Sequence, residues 1–305
     1  MSHKLLILAQ DKKKYHALIE EAQFDGLEIV DQPSHDVDII LGEPSLIKVA
    51  LASLPGLTWA QSIWAGIEPL VGPASRRDYI LTNARGVFGE LMSEYVIGYL
   101  LAHERKIFQR HDAQMNKQWE ESDTGTLRGK TIGLLGVGSI GTEVALTAKF
   151  FGMNVRGYTR DSETSAHVDS YFHGDDLLKF ASGLDYLVNI LPNTNDTRKI
   201  INGDLLHVLP VHALVINVGR GPALDESALL DALNQNKIAG AVLDVFEQEP
   251  LPKGHPFWTT PKLLMTFHTA APSLAEDITN IFIENYKLLL EGKPLKYRVD
   301  FQKGY

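Results

Sequence analysis

The chain has 305 residues, a formal net charge of −9 at pH 7, 22% charged and 44% hydrophobic residues, and no cysteine. Such a length favours two domains, and the composition is typical of globular proteins that bury a full core. Acids and bases are interspersed, which disfavours a nucleic acid or an anionic membrane as partner. The lack of cysteine excludes disulfides, thiolate catalysis and cysteine-ligated zinc.

The first apolar run, at residues 5–9, predicts a strand. It is too short for the apolar region of a signal peptide, and no cleavage-type segment follows it. No run approaches the roughly 18 apolar residues that a membrane-spanning helix needs. We therefore expect a cytoplasmic protein with no membrane partner.

Strands and helices are predicted to alternate over the first hundred residues. After the first strand, further strands are expected at 38–41, 58–63 and 79–82, with helices at 15–22 and 46–52. This alternation indicates a parallel sheet with helices on both faces. A long helix is predicted from Gly89, because apolar residues recur at helical spacing as far as Leu100, and its continuation to Trp119 is more polar.

The same alternation continues more regularly from Thr131. Strands are expected at 131–135, 154–159, 184–191, 214–218, 238–245 and 263–267, and helices at 175–180, 203–207 and 225–234. The pattern predicts a doubly wound sheet of at least five strands. Residues 272–291 predict a final helix, with a proline in its first turn and Gly292 just beyond its end.

A glycine run, G-V-G-S-I-G at 136–141, lies between a predicted strand and a predicted helix. In that context Gly136 makes the tight turn, Gly138 lets the backbone approach a pyrophosphate, and Gly141 lets the helix pack closely on the strand. The helix N-terminus, with Ser139 and Ile140, offers N–H groups and a positive dipole end to phosphates. The run predicts a dinucleotide site.

The end of the next strand bears on the choice of cofactor. A site selective for NAD places a carboxylate there for the ribose 2′-hydroxyl, whereas this chain has Thr159 followed by Arg160. A hydroxyl and a guanidinium would bind a 2′-phosphate, which favours NADP(H). In the other interpretation Arg160 is a solvated charge and Asp161 still serves NAD(H).

Three further strand ends place charged groups at the edge where ligands bind in such sheets. Arg220 follows one strand, Glu249 follows another, and His268 follows the last. Each has an ordinary structural explanation: an ion-pair arginine, a surface acid, a half-buried histidine. Together they fit the reduction of a 2-keto acid, with a protonated His268 as proton donor, Glu249 orienting it and Arg220 clamping the substrate carboxylate.

These motifs together resemble the D-2-hydroxyacid dehydrogenase family over essentially the whole chain. The matching runs are G-V-G-S-I-G, N-V-G-R-G at 217–221, L-D-V-F-E-Q-E-P at 243–250 and F-H-T-A-A at 267–271. On this resemblance the family's Arg, Glu and His fall on Arg220, Glu249 and His268. Two departures are the missing acid after the second strand of the nucleotide domain and Ala271 where the family often has glycine.

The resemblance implies an α/β architecture of two Rossmann-like, doubly wound parallel-sheet domains. The dinucleotide-binding domain, expected at 99–271, would be inserted into a flavodoxin-like substrate domain formed by 1–98 and 272–305. It also implies a homodimer, with residues 88–119 contributing to the interface.

Weaker motifs extend the family likeness to further site residues. The run at 191–197 resembles a loop over the cofactor, which assigns Leu191, Pro192 and Thr197 to cofactor binding. Val218 joins this set, and Asp244 resembles the acid that holds the carboxamide. The run at 61–67 resembles a substrate loop whose backbone binds the carboxylate, which assigns the substrate-binding residues Trp64, Ala65 and Gly66; an ordinary strand-to-helix turn is the alternative. No metal site is expected.

Within the family, the run at 85–96, the Thr-Arg pair and the short length look most like glyoxylate/hydroxypyruvate reductases. A formate dehydrogenase is disfavoured by Glu249, because that subgroup pairs its histidine with glutamine. A phosphoglycerate dehydrogenase with a regulatory domain is disfavoured by the length, while a short form remains an alternative. From another class, a dinucleotide-sensing corepressor is the rival, against which the absence of basic clusters and interaction tails argues.

Overall fold

The computed structural model describes residues 2–302, which divide into two compact units. The strands are β1 (His3–Leu8), β2 (Leu27–Val30), β3 (Ile39–Gly42), β4 (Trp59–Ser62), β5 (Ile80–Thr82), β6 (Thr131–Leu135), β7 (Asn154–Tyr158), β8 (Ser170–Phe172), β9 (Tyr186–Asn189), β10 (Leu214–Asn217), β11 (Gly240–Leu243) and β12 (Leu263–Met265). The helices are α1 (Lys12–Glu21), α2 (Pro44–Ala50), α3 (Gly89–Glu104), α4 (Ile107–Met115), α5 (Ser139–Phe150), α6 (Leu177–Ala181), α7 (Gly203–Val208), α8 (Glu226–Asn234) and α9 (Ala275–Leu290).

The first unit comprises the described residues up to Val87 and from Ser273 onward. Its five parallel strands run in the order β2-β1-β3-β4-β5, which is the flavodoxin-like order. Helix α9 joins this unit from the far end of the sequence: Phe282 stacks on Trp59 with ring centroids 5.0 Å apart, and Asn285 donates to Gln61. The predicted return of the last helix to the first domain is therefore confirmed.

The second unit, Phe88–Pro272, contains a parallel sheet of seven strands in the order β12-β11-β10-β9-β6-β7-β8. Counted from β6, this is the Rossmann order extended by one strand, and it reverses between β6 and β9. Two buried apolar clusters flank the sheet, one including side chains of α3 and α5 and the other side chains of α6, α7 and α8. The predicted two doubly wound sheets are confirmed.

The structure differs from the sequence-based elements mainly at edges and ends. Strands β2 and β8 were not predicted, because a polar residue, Glu28 in β2 and Ser170 in β8, leaves these short edge strands without a continuous apolar run. The long helix stops at Glu104 and restarts as α4 after Lys106, whose backbone is left-handed with φ +52°. The last helix begins at Ala275, three residues later than expected.

The first boundary between the units also differs from the expected division at 98/99, which would cut through α3. The whole of α3 belongs to the second unit, where Ser93 on α3 donates a 2.7 Å hydrogen bond to Thr147 on α5. Valine, isoleucine and leucine side chains of α3 are buried in the same cluster as those of α5 and β6. Packing of this apolar face places the boundary at 87/88.

Candidate active site

The glycine turn lies where the strand order of the second unit reverses. Gly136 follows β6 with φ +96°, a backbone conformation that favours glycine. A side chain at Gly141 would place its Cβ 2.4 Å from the Gly136 carbonyl oxygen, so the close passage of α5 over the turn requires glycine there. A Cβ at Gly138 would meet nothing within 4 Å. Gly138 therefore borders open space, as the approach of a ligand requires.

The start of α5 has the properties of a phosphate-binding helix end. Gly138 is its N-cap residue, and no side chain of residues 2–302 caps it. The N–H groups of Ser139 and Ile140 make no hydrogen bond within that range. Free N–H groups and the positive end of the helix dipole suit an anionic group. The turn and the helix start thus fit a dinucleotide pyrophosphate.

Thr159 and Arg160 follow β7, but their side chains are engaged differently. Thr159 is buried, and its hydroxyl donates a 2.6 Å hydrogen bond to the Ser162 carbonyl. A hydroxyl has one hydrogen to donate, so this bond takes the donor that a phosphate would need. Arg160 is 63% exposed, with Nη2 3.5 Å from a carboxylate oxygen of Asp196. The group suited to a 2′-phosphate at this strand end is the guanidinium.

His173, which sequence reasoning missed, braces the same loop. Its Nδ1 lies 3.0 Å from the Thr159 carbonyl oxygen, and its Nε2 lies 2.8 Å from Glu163. The hydrogen bond to Glu163 raises the pKa of His173 above its ordinary value. No sequence motif pointed to His173, because it follows β8, the edge strand that was not predicted.

The loop after β9 is folded on itself beside the glycine turn. Thr197 donates to the Pro192 carbonyl at 2.7 Å and accepts from the Thr194 amide at 2.9 Å. Leu191 reaches the turn: a Cβ at Gly136 would lie 3.2 Å from its Cδ2. Leu191, Pro192 and Thr197 therefore lie at the same edge of the sheet as the glycines.

Arg220 follows β10 between two glycines that close contacts require. A Cβ at Gly219 would lie 2.8 Å from the Leu191 carbonyl oxygen, and one at Gly221 would lie 1.9 Å from the carbonyl carbon of Phe246. The loops after β9, β10 and β11 are thereby pressed together. Arg220 is half-buried, and its Nη1 donates to the Gly219 carbonyl at 2.8 Å. Val218, two residues earlier, is buried.

Asp244 organises the segment that carries the histidine. It is 2% exposed, and its carboxylate accepts hydrogen bonds from the amides of Thr269 at 2.9 Å and Ala270 at 3.1 Å, and from the Thr266 hydroxyl. Its backbone carbonyl accepts from the His268 amide at 2.7 Å. Residues 266–270, the histidine strap, thus wrap around one buried carboxylate. Three bonds leave the carboxylate capacity for one further donor.

Glu249 and His268 form a hydrogen-bonded pair. Nδ1 of His268 lies 2.8 Å from Oε2 of Glu249, while Oε1 of Glu249 accepts from the Phe246 amide at 2.9 Å. Both carboxylate oxygens are fixed, so the imidazole is held in one orientation. Nε2 of His268 has no hydrogen-bond partner among residues 2–302 and is the nitrogen left for a substrate.

The two groups shift each other's titration. The hydrogen bond to Glu249 raises the pKa of His268, against the opposing effects of burial and of Arg220. Burial by itself would raise the pKa of Glu249, but hydrogen bonds from His268 and the Phe246 amide outweigh it and hold that pKa below its ordinary value. The arrangement favours imidazolium beside carboxylate, as a proton donor near neutral pH requires.

Trp64, Ala65 and Gly66 lie in the first unit, in the loop after β4. Ser62 shapes this loop by accepting from the Trp64 amide at 3.0 Å and donating to the Trp64 carbonyl at 2.9 Å. The amides of Ala65 and Gly66 make no hydrogen bond within residues 2–302. Trp64 is 42% exposed, whereas Trp59 is fully buried in the core, so Trp59 does not line a surface site.

The described residues form neither a metal site nor a membrane-spanning helix. Between residues 2 and 302, no group of three or more His, Asp and Glu side chains is placed to hold a metal ion. No helix in that part of the chain is long and apolar enough to cross a membrane.

Comparison with known proteins agrees with this geometry. The family profile described as D-isomer specific 2-hydroxyacid dehydrogenase, NAD binding domain, matches residues 97–270. Glyoxylate/hydroxypyruvate reductase A from Photorhabdus laumondii is 33% identical over 263 residues, covering 84% of each chain.

Two solved structures are similar over the full length. A D-isomer specific 2-hydroxyacid dehydrogenase family protein from Aeromonas salmonicida has a TM-score of 0.94 and 38% identity, covering 99% of this chain and 100% of that one. The D-isomer specific 2-hydroxyacid dehydrogenase from Xanthobacter autotrophicus Py2, in complex with NADPH and MES, has a TM-score of 0.90 and 30% identity, covering 100% of both. The profile covers more than half of the chain and contains the glycine turn, Arg220, Glu249 and His268. The chain therefore belongs to the D-isomer specific 2-hydroxyacid dehydrogenase family, and it is an NAD(P)-dependent oxidoreductase that acts on the CH–OH group of 2-hydroxy acids.

Proposed function

We propose that this protein reduces glyoxylate or hydroxypyruvate, with NADPH preferred over NADH. The observation that carries the proposal is the Glu249–His268 pair, which lies in the same unit as the glycine turn and leaves Nε2 available to a substrate. The name of the Photorhabdus relative, glyoxylate/hydroxypyruvate reductase A, supports this choice among 2-keto acids.

The chain's residues divide the chemistry of the reduction between them. A nicotinamide dinucleotide, when bound, supplies the hydride that becomes the new C–H bond at the carbonyl carbon. His268 donates the proton from Nε2 to the carbonyl oxygen, which becomes the hydroxyl, and Glu249 stabilises the imidazolium beforehand. Arg220 binds the substrate carboxylate through its planar guanidinium.

We assign the loop after β4, in the first unit, to binding of a substrate carboxylate through its backbone. The amides of Ala65 and Gly66 are the donors, and the Ala65 carbonyl is held by Asn83, which donates to it at 2.8 Å. A loop fixed in this way loses little freedom on binding. We assign Trp64 to substrate binding as part of this loop, through its partly exposed ring.

We assign the cofactor to the carboxyl edge of the sheet in the second unit. Gly136, Gly138, Ser139, Ile140 and Gly141 would hold the pyrophosphate. The remaining contacts are assigned to Arg160, Leu191, Pro192, Thr197, Val218 and Asp244, and to Thr159, whose hydroxyl hydrogen already goes to the Ser162 carbonyl and so does not serve a phosphate. Arg160 is the residue that would favour NADP(H) by binding a 2′-phosphate, and the NADPH in the Xanthobacter structure supports that preference. NAD(H) remains the alternative cofactor.

The experiment that tests this function follows cofactor absorbance with purified protein across a panel of 2-keto acids. We expect turnover with glyoxylate or hydroxypyruvate, faster with NADPH than with NADH. Preferential reduction of 3-phosphohydroxypyruvate would instead indicate a short phosphoglycerate dehydrogenase. Cofactor binding without turnover of any panel member would contradict the reductase and support a dinucleotide-sensing protein.

We further propose that the protein is a homodimer joined through residues 88–119. The support is a set of exposed apolar side chains on and after α4, of which Trp119 is 88% exposed. The others are Ile107, Phe108 and Met115. A two-fold interface would bury the same patch on both copies. Light scattering should give the mass of two chains, and Phe108→Glu should give one; a monomeric wild type would contradict the proposal.

A cytoplasmic location is part of the same proposal. NADPH-dependent reduction of a small acid requires the cofactor pool of the cell interior. Cell fractionation, with the protein detected by an antibody, should recover it in the cytoplasmic fraction. Recovery in the periplasmic or culture fraction would contradict this location.

A further inference from the structure

His268 occupies a backbone conformation that must be maintained by its surroundings. Its φ is +57°, which residues other than glycine rarely adopt. The strap around it, residues 266–270, is held by the Asp244 carboxylate and the Asp244 carbonyl. The orientation of the imidazole toward Glu249 therefore depends on how firmly the strap is attached to Asp244.

Tyr95 extends this attachment to helix α3. Its hydroxyl oxygen lies 2.7 Å from the hydroxyl oxygen of Thr266. Thr266 donates its single hydrogen to Asp244, so the hydrogen between the two hydroxyls must come from Tyr95. The result is a one-way chain of hydrogen bonds from Tyr95 through Thr266 to the buried carboxylate. Such a chain polarises each of its members.

The donor end of this chain is well anchored. Burial raises the pKa of Tyr95, so its hydroxyl keeps its hydrogen across the working pH range. The ring packs on Tyr99 with centroids 4.7 Å apart. Helix α3 itself is tied to α5 through Ser93 and Thr147. Tyr95 is therefore a fixed point from which the strap can be held.

We propose that Tyr95 is a positioning residue that acts, through Thr266 and Asp244, on the histidine strap and so aims His268 for proton transfer. This inference rests on the proposed function, because it presupposes that His268 is the proton donor. Tyr95 itself touches neither substrate nor cofactor in this proposal. Nothing in the sequence motifs assigns it this task, since it lies in a helix far from the strap in sequence.

The first test measures the strap directly, without turnover. Tyr95→Phe removes only the hydroxyl, and amide hydrogen exchange should then quicken at His268, Thr269 and Ala270. We expect about a tenfold faster exchange, the equivalent of one lost hydrogen bond. Unchanged exchange in these three amides would overturn the proposal.

The second test measures what a looser strap does to the reaction. In Tyr95→Phe, kcat for the reduction should fall about tenfold with little change in the Kd for NADPH. The limb of the pH profile that reports His268 should move to lower pH, because the contact with Glu249 that raises its pKa is loosened while Arg220, which lowers that pKa, stays in place. Asp244 also raises the pKa of His268 and preserves part of the upward shift. Faster exchange without any change in kcat or the limb would overturn the positioning role.

A matched control separates positioning from general loss of stability. Tyr186 is buried, whereas Tyr95 is partly buried, and the hydroxyl of Tyr186 likewise donates to another side chain, Glu104, at 2.6 Å. Tyr186 begins β9 at the opposite end of the sheet. Tyr186→Phe should leave strap exchange and the pH limb unchanged. Equal effects of both substitutions would contradict a specific role for Tyr95.

A further variant covers the case in which Tyr95→Phe does not fold. Thr266→Val removes the hydroxyl between Tyr95 and Asp244 and should quicken strap exchange similarly. Where both single variants fold, strap exchange in the double variant should be no faster than in the more affected single variant, since both substitutions break the same chain of hydrogen bonds. Fully additive effects on exchange would overturn that chain of hydrogen bonds. A wild type that turns over no 2-keto acid would instead refute the proposed function, and the exchange data would still report whether Tyr95 holds the strap.

Discussion

Replacing Glu249 by glutamine tests the link between the carboxylate and the acidity of His268. The amide can still accept the hydrogen bond from the Phe246 N–H, so the loop should keep its shape. What is lost is the negative charge 2.8 Å from Nδ1 of His268. The pKa of His268, which Glu249 raises, should therefore fall toward its ordinary value.

The size of the shift follows from distance and exposure. Two unit charges roughly 4 Å apart interact by about 1 kcal/mol in water and about 4 kcal/mol at the effective dielectric near a protein surface. The side chain of His268 is 55% exposed and that of Glu249 is 35% exposed, which places the pair toward the screened limit. We therefore take the interaction between the two charges as about 1.4 kcal/mol, which corresponds to a shift of about one unit in the pKa of His268.

Whether Glu249→Gln loses or gains activity at a given pH depends on the direction of the reaction. Reduction needs protonated His268, whose fraction falls as pH rises through its pKa. In Glu249→Gln the falling limb should therefore move about one unit lower in pH, and kcat/KM above the limb should drop about tenfold. Oxidation of the 2-hydroxy acid needs neutral His268, so its rising limb should move the same way and the variant should gain at low pH.

The assay is cofactor absorbance against pH in both directions, with Glu247→Gln as the matched control. Glu247 lies in the same loop but pairs with Arg198 at 2.6 Å, so its replacement should leave both limbs in place. A uniform loss in Glu249→Gln at every pH, with unmoved limbs, would refute the electrostatic role. Equal shifts in both variants would show that any charge in the loop suffices.

Three further outcomes are expected. Gly138→Ala should weaken NADPH binding, measured by titration, with stability changed by less than about 1 kcal/mol. Gly141→Ala should destabilise the protein by about 1–3 kcal/mol, measured by calorimetry, because its Cβ would meet the turn. Arg160→Ala should raise the Kd for NADPH roughly tenfold to hundredfold with that for NADH unchanged, while Arg198→Ala should alter neither. His268→Ala should lower kcat/KM about 10²- to 10⁴-fold while cofactor titration gives the wild-type Kd.

Each of these has an opposing result. Wild-type NADPH affinity in Gly138→Ala would show that no ligand approaches that backbone. Equal weakening of both cofactors in Arg160→Ala would remove the 2′-phosphate role. Wild-type turnover in His268→Ala would show that another group donates the proton.

The sheets were predictable because their strands carry strong local signals. The apolar runs of β6 and β10 and the glycine turn are short-range patterns that read directly as strand, turn and helix. Edge strands β2 and β8 gave no such signal, since three or four residues half in contact with solvent need no continuous apolar run. The end of α3 at Glu104 was also missed, because the polar continuation retains helix-forming residues.

Several site contacts had no counterpart in sequence patterns. The hydroxyl of Thr159 is taken by the Ser162 carbonyl, and His173 braces that loop, although neither contact follows from spacing. The joining of Tyr95 to Thr266 spans 171 residues. Contacts of this kind depend on which helix packs on which face of the sheet, and a single sequence does not encode that locally.

By itself, the sequence determined the type of fold, the order of its strand-end motifs and the identity of the charged groups Arg220, Glu249 and His268. These follow from short-range hydrophobic periodicity and from the rule that parallel strands end at one edge. Only the tertiary structure decided that Glu249 contacts Nδ1, that Asp244 holds the histidine strap, and that α3 belongs to the second unit. The physical reason is that these are matters of packing and hydrogen-bond distance between distant segments, which are settled only when the apolar faces of helices and sheet are buried together.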